Sequence, residues 1–267
     1  MPVSVRPVAR VLAVVGAALA VTACESTLDI GDNSLTWGFI QTSAQRTPGG
    51  TYVTSANGQF FRGLLSTIPD AQSKPDTCVE LLITPQNPLQ VTFLDAGSSI
   101  TTQFGARVDT LPRVSAGSQT TYELPAPRSY QPGDSLIVRI PGAVGGFPAA
   151  EIRAKTAEAF TLDSLTINPA PAAVQLRWTP SSDPNSAMVV EFRYSSTGGT
   201  NFNQLIRCAF RDDGADSVLF SVIQPWAGQS ESSRSATFTR LRTTINPIID
   251  GFLEVISTFA VPTPTVP

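Results

Sequence analysis

Val174-Gln175-Leu176-Arg177-Trp178 alternates apolar and polar side chains without a break. Further along, Met188, Val190, Phe192 and Tyr194 share one face of an extended segment, with Glu191 and Arg193 on the other. Ile206, Cys208 and Phe210 repeat the pattern, with Arg207 opposite. A period of two is what a half-buried antiparallel strand requires. Earlier in the chain, Leu35, Trp37 and Phe39 share a face in the same way, and the spacing puts Trp37 and Trp178 into core. No stretch of ten residues or more keeps a helical period. The 22 Pro and 19 Gly punctuate the chain at short intervals, and many short strands at such spacing predict an all-β protein built as sandwiches or barrels.

Turn chemistry agrees. Asn57-Gly58, between Tyr52-Val53-Thr54 and Gln59-Phe60-Phe61, predicts a hairpin of the type that favours positive φ. Gln131-Pro132-Gly133-Asp134 predicts a turn ahead of an alternating strand at Ser135–Ile140. Asp213-Gly214 separates Leu205–Phe210 from Val218–Val222. Pro69 to Lys74 is the best candidate for a helical turn, and its composition reads as loop. The expected organisation is a signal segment over 1–23 and a tether over 24–33. Two antiparallel β-sandwich-like domains follow, over 34–158 and 159–261, and then a Pro-rich tail over 262–267.

From Phe160 onward the order of strands resembles a fibronectin type III or immunoglobulin-like sandwich. Leu162–Ile167 would be its first strand, Val174–Trp178 its second with an inward Trp, and Met188–Tyr194 its third, with four more ending near Phe259. Residues 92–260 also resemble a loosely defined group of uncharacterised exported β-rich proteins from soil bacteria. The matching features are Leu94-Asp95-Ala96-Gly97, Gln131-Pro132-Gly133-Asp134, Val174–Thr179 and Arg207-Cys208-Ala209-Phe210. That group carries no activity, so the resemblance implies architecture and export alone.

The N-terminus supplies an address. Arg6 and Arg10 precede an apolar run from Val11 to Val21, too short to span a bilayer, which takes about 20 apolar residues, but suited to an export signal. Val21-Thr22-Ala23-Cys24 resembles the lipobox of bacterial lipoproteins. That family cleaves before the Cys and acylates it, which implies a lipid anchor on Cys24 and a membrane contact made by lipid rather than polypeptide. Glu25 stands where the family's inner-membrane retention signal would place Asp, which implies the outer membrane or cell surface. A tether of about nine residues reaches at most ~30 Å.

Chemistry is thinly signposted. The chain has no His, which excludes Ser-His-Asp and Cys-His catalysis and His-ligated metals. A net charge of −3 argues against a nucleic-acid partner. With Cys24 lipidated, Cys78 and Cys208 remain, either bridged in an oxidising compartment or as two free buried thiols. Asp212, Asp213 and Asp216 cluster around Gly214, as a candidate calcium site without EF-hand spacing or as solvated turn residues. Trp226, in Gln224-Pro225-Trp226-Ala227-Gly228, is either an exposed binding residue or a cover over one end of the sandwich. No cofactor is implied. The leading expectation is a non-catalytic binding or structural module of the envelope, its partner an envelope protein or glycan. The alternative is a carboxylate-dependent hydrolase of envelope polysaccharide, whose two acids would meet only in space.

Overall fold

The computed structural model describes residues 35–63, 76–82, 91–169 and 172–262. The signal segment, Cys24, the tether, the turn at Pro69 to Lys74 and the tail beyond Pro262 lie outside the described residues. The described residues form seventeen strands, one short α-helix and a 3-10 turn at Glu231–Ser233, joined by loops. In chain order the first ten strands are β1 (Thr36–Arg46), β2 (Tyr52–Arg62), β3 (Thr77–Leu82), β4 (Thr92–Phe93), β5 (Ser99–Phe104), β6 (Arg107–Ala116), β7 (Gln119–Glu123), β8 (Arg128–Ser129), β9 (Ser135–Ile140) and β10 (Ala150–Lys155). They are followed by β11 (Leu162–Pro169), β12 (Ala172–Trp178), β13 (Ser186–Tyr194), β14 (Gln204–Arg211), β15 (Ala215–Leu219), α1 (Phe220–Ala227), β16 (Arg234–Ile248) and β17 (Gly251–Pro262). The protein is an all-β sandwich fold.

One continuous sheet runs in the order β10-β9-β5-β6-β7-β2-β1-β17-β16-β13-β14-β3, and a second, small one in the order β11-β12-β15. β6 is the fold line at one end. Its residues Arg107–Pro112 pair with β5 and Arg113–Ala116 with β7. The large sheet thereby doubles back on itself, and its two inner faces enclose a core of Ile40, Phe60, Ile100, Leu111, Tyr122, Leu136, Val138, Phe147, Ile152, Leu253 and Val255. At the other end β11, β12 and β15 lie over β14-β13-β16-β17. Between them is a second core with Val174, Leu176, Trp178, Met188, Val190, Phe192, Ile206, Cys208, Phe210, Phe238 and Phe259.

This second sandwich has the strand layout expected of an immunoglobulin-like domain, with the inward Trp178 on its second strand, 1% exposed. The cores do not divide the chain into consecutive halves. β1 places Ile40 in one and Ala44 in the other, and β17 places Leu253 and Val255 in one and Phe259 in the other. β1 and β17 run parallel from Thr36↔Gly251 to Gln45↔Ala260. The approach is close at its start, where a Cβ on Gly251 would lie 1.8 Å from the Thr36 carbonyl oxygen.

Three sequence expectations are corrected here. Asn57-Gly58 is not a turn. β2 runs straight through it, paired with β1 at Gln41↔Asn57 and Ile40↔Gly58, and the reversal lies at Thr47–Thr51, where Gly50 has φ +82°. Gly58 is needed because a Cβ there would meet Ile40 Cδ1 at 2.8 Å and Ile100 Cδ1 at 2.9 Å. A strand glycine often marks such close packing rather than a bend. Trp37 does not face a core either. On β1 the inward set is Gly38, Ile40, Thr42 and Ala44, and Trp37 lies on the outer face against Phe39 and Phe252. Gly38 takes the inward position because the Phe147 ring fills its side-chain space. Finally, α1 covers Phe220–Ala227, where no helix was expected. Eight residues with Pro225 inside and no side-chain cap give almost no helical signal.

Candidate functional site

Strands β7, β2, β1 and β17 bury one face and expose the other. On the outer face, register puts side chains in rows. Phe39 stands opposite Gln59 and Gln59 opposite Thr121, while Gln41 stands opposite Asn57 and Asn57 opposite Glu123. Ile256 on β17 continues the second row beside Gln41. These residues, with Ser55 and Leu124, line a groove of about 580 Å³, within the range of small-molecule sites. Gln41, Ser55 and Glu123 are exposed, and Phe39, Asn57, Gln59 and Thr121 are half-buried. The Thr121 hydroxyl donates to Glu123 Oε1 at 2.9 Å. Phe39 is held by a parallel stack on Phe61, ring centroids 5.5 Å apart. The side-chain amides of Gln41, Asn57 and Gln59 make no hydrogen bond with any described residue.

The arrangement can accept and donate hydrogen bonds over a strip of four strands, about 14 Å wide at the usual strand spacing. It has neutral amides, two hydroxyls, one carboxylate and apolar flanks. Among the described residues no Lys or Arg lines it.

The residues singled out in the sequence have other roles. Cys78 and Cys208 are bonded, with their Cα atoms 4.0 Å apart. They are direct partners in the β3–β14 pairing, so β3 is pinned as an added edge strand on the immunoglobulin-like sandwich. The Tyr194 hydroxyl, at the end of β13, donates to Glu80 Oε1 on β3 at 2.9 Å. Burial, followed by the Glu80 carboxylate, pushes its pKa up to about 12.

Trp226 is not an exposed binding residue. It is fully buried, with its ring 4.9 Å from that of Phe192 and its indole N–H donating to the Ser235 carbonyl at 2.9 Å. α1 packs on β12, β13 and β15 and drives Ile223 and Trp226 into the open end of the sandwich. The Arg234 guanidinium lies over the indole at 4.9 Å.

The three aspartates do not converge, which corrects the calcium reading. Asp212 is an internal ion-pair partner: Oδ2 accepts from Arg240 Nε at 2.6 Å and from the Ser186 hydroxyl at 2.7 Å, and Oδ1 accepts from the Trp178 indole N–H at 2.8 Å. Arg240 also donates to the carbonyls of Ala159 and Thr179, and both side chains of the pair are almost wholly buried, at 1% and 2% exposed. Asp216 instead faces Asp76 and Asp213. Burial raises its pKa, and the two like charges raise it further against the Ser217 N–H. Among the described residues no group of three or more His, Cys, Asp or Glu is placed to hold a metal. Asp213-Gly214 does separate two strands, but β14 and β15 lie in different sheets, so the segment is a crossover rather than a hairpin tip.

The groove and the Asp212–Arg240 pair were both missed in the sequence. Arg240 lies on the inward face of β16 between Phe238 and Arg242. An Arg out of phase with its strand's polar face was the available signal.

The sequence matches no family model and no curated protein. Among solved structures, the crystal structure of a DUF4785 family protein from Legionella pneumophila subsp. pneumophila is similar over 76% of this chain, at 8% identity and a TM-score of 0.25. The match spans about half (51%) of that protein's length, and a superposition this loose carries nothing over to this chain.

Proposed function

We propose that the protein is an exported, lipid-anchored envelope protein that works as a non-catalytic binding module, displaying its groove close to the bilayer. The groove on the outer face of β7-β2-β1-β17 carries this reading. It is a polar surface that no other described strand covers, on strands that are each braced by a core behind them, the rigid support a binding surface needs. The Cys78–Cys208 bond supports export, because such bonds persist in oxidising compartments. The lipobox-like Val21–Cys24 supports the anchor. Among the described residues that line the groove, Glu123 alone is an acid, and Glu254, beside Phe39 on β17, lies three strands away from β7, about 14 Å, whereas glycoside hydrolysis uses two carboxylates about 5–9.5 Å apart. The groove therefore favours binding over cleavage.

Two measurements test the reading. Cells fed a labelled fatty acid should label the wild type and leave Cys24→Ser unlabelled, and a labelled Cys24→Ser would overturn the anchor. The Cys24→Ser protein made without residues 1–23, and so without lipid or the apolar Val11–Val21 run, added to isolated envelopes of its own cell, should co-sediment with them. If it stays wholly in the supernatant, the binding role is wrong.

A further inference from the structure

We propose that the groove binds a neutral glycan chain, an assignment of ligand class that rests on the binding reading above. Each primary amide offers one acceptor oxygen and two donor hydrogens, a set that complements neighbouring hydroxyls on a sugar ring. Three such amides, Gln41, Asn57 and Gln59, occupy adjacent positions on β1 and β2 and make no hydrogen bond among the described residues. The hydroxyls of Ser55 and Thr121 and the carboxylate of Glu123 extend the polar strip. Phe39, Leu124 and Ile256 supply apolar flanks for the C–H surfaces of the rings.

Charge decides against the other occupants. A phosphate, sulfate or uronate would call for Arg or Lys, and none is among the described residues of the lining. A protein partner would be expected to find the Trp, Tyr or Arg anchors that dominate protein interfaces; the described lining has none, with Trp37 outside it beyond Phe39. A cationic segment would find Glu123 in the described lining and Glu254 outside it beside Phe39. What remains is an uncharged, hydroxyl-rich chain lying across the strands.

The test uses the full-length protein in detergent on an array of neutral glycans that includes hexasaccharides of glucose, mannose and N-acetylglucosamine, with sulfated and uronate glycans and decalysine alongside. At least one neutral glycan should bind, and the triple variant Gln41→Ala, Asn57→Ala, Gln59→Ala should weaken it by ~10-fold or more. These side chains are outside both cores, so far-UV circular dichroism and the urea midpoint should match wild type. Trp226→Ala, which disturbs folding instead, serves as the contrast. No binding to any neutral glycan, or binding that the triple variant leaves intact, overturns the proposal. Binding confined to decalysine and lost in Glu123→Gln overturns it in favour of a cationic partner. If envelope co-sedimentation falls in the triple variant while no glycan binds, the groove remains the binding site and the ligand class is wrong.

Discussion

The two sandwiches share strands but are held together differently. The immunoglobulin-like core is cross-linked: a Cys78–Cys208 bond on its edge, the buried Asp212–Arg240 pair at one end, and the part-buried Arg242–Asp183 pair beside it. The other core is apolar packing around Tyr122, whose hydroxyl donates to Asp95 Oδ1 or the Gly97 carbonyl and accepts from the Ala96 N–H. The ion pairs near it, Arg113–Asp95 and Arg139–Glu151, are open to solvent, where such pairs contribute about 0–1 kcal/mol. The covalent link and the fully buried ion pair belong to the sandwich without the groove; in the other, the least exposed ion pair is the part-buried Arg107–Asp109 beside Phe104.

Removing the covalent link should separate the two most strongly. Cys78 and Cys208 are 130 residues apart, and loop-closure entropy for such a span amounts to about 5 kcal/mol. Cys78→Ser with Cys208→Ser should lower the unfolding free energy by most of that, read as a lower urea midpoint, and reductant should do the same to wild type and nothing to the variant. Breaking the buried pair comes next. Asp212→Asn leaves Arg240 charged and underpaired, at about 3–5 kcal/mol, while Arg113→Ala near the other core should shift stability by less than about 1 kcal/mol. Equal effects in equilibrium unfolding would erase the contrast. The packed core should respond to volume instead. Gly58→Ala forces a Cβ against Ile40 and Ile100, at about 1–3 kcal/mol, without altering far-UV circular dichroism.

Proton linkage gives the smallest effect and two signs. In Asp95 and Asp183 burial works to raise the pKa. It is outweighed in Asp95 by the Gly97 N–H, the Tyr122 hydroxyl and Arg113, and in Asp183 by the Asn185 N–H and Arg242, so both are held below the ordinary 3.8. Their stabilisation is fully present above 3.8 and is lost as pH falls through the lowered folded values. Asp216 is raised, so stability falls as pH rises from the ordinary 3.8, and the loss is complete above its raised folded value. Asp216→Asn should therefore be more stable than wild type at neutral pH, and the gap should vanish below the ordinary 3.8. Urea midpoints across pH check both signs, and a gap that persists in acid would show that charge is not the cause.

The immunoglobulin-like half was the more legible because its strands alternate cleanly: Val174–Trp178, Met188–Tyr194 and Ile206–Phe210 all point where period two puts them. The other half misled at Asn57-Gly58, where a turn dipeptide serves core packing, and at Trp37, where an aromatic strip lies outside a core. The two cysteines left besides Cys24 kept bridge and free thiols both open, since only the β3–β14 register sets the Cα separation. The groove was not legible at all. Gln41, Asn57, Thr121 and Ile256 come from four strands, and periodicity tells which face a residue takes but not which strand lies beside it.

The parallel pairing of β1 with β17 has a consequence for the order in which the molecule can be completed. A chain made from its N-terminus delivers β1 before β17. One edge of β1 can be satisfied early by β2, but the other waits until residues 251–262 arrive. Until then both interiors are open, because Leu253 and Val255 close one and Phe259 the other. Contacts between the two ends of a sequence are slow to form, and an open strand edge invites pairing with other chains. The final strand is thus the latch of the whole molecule, and a nascent chain short of it needs protection from its neighbours.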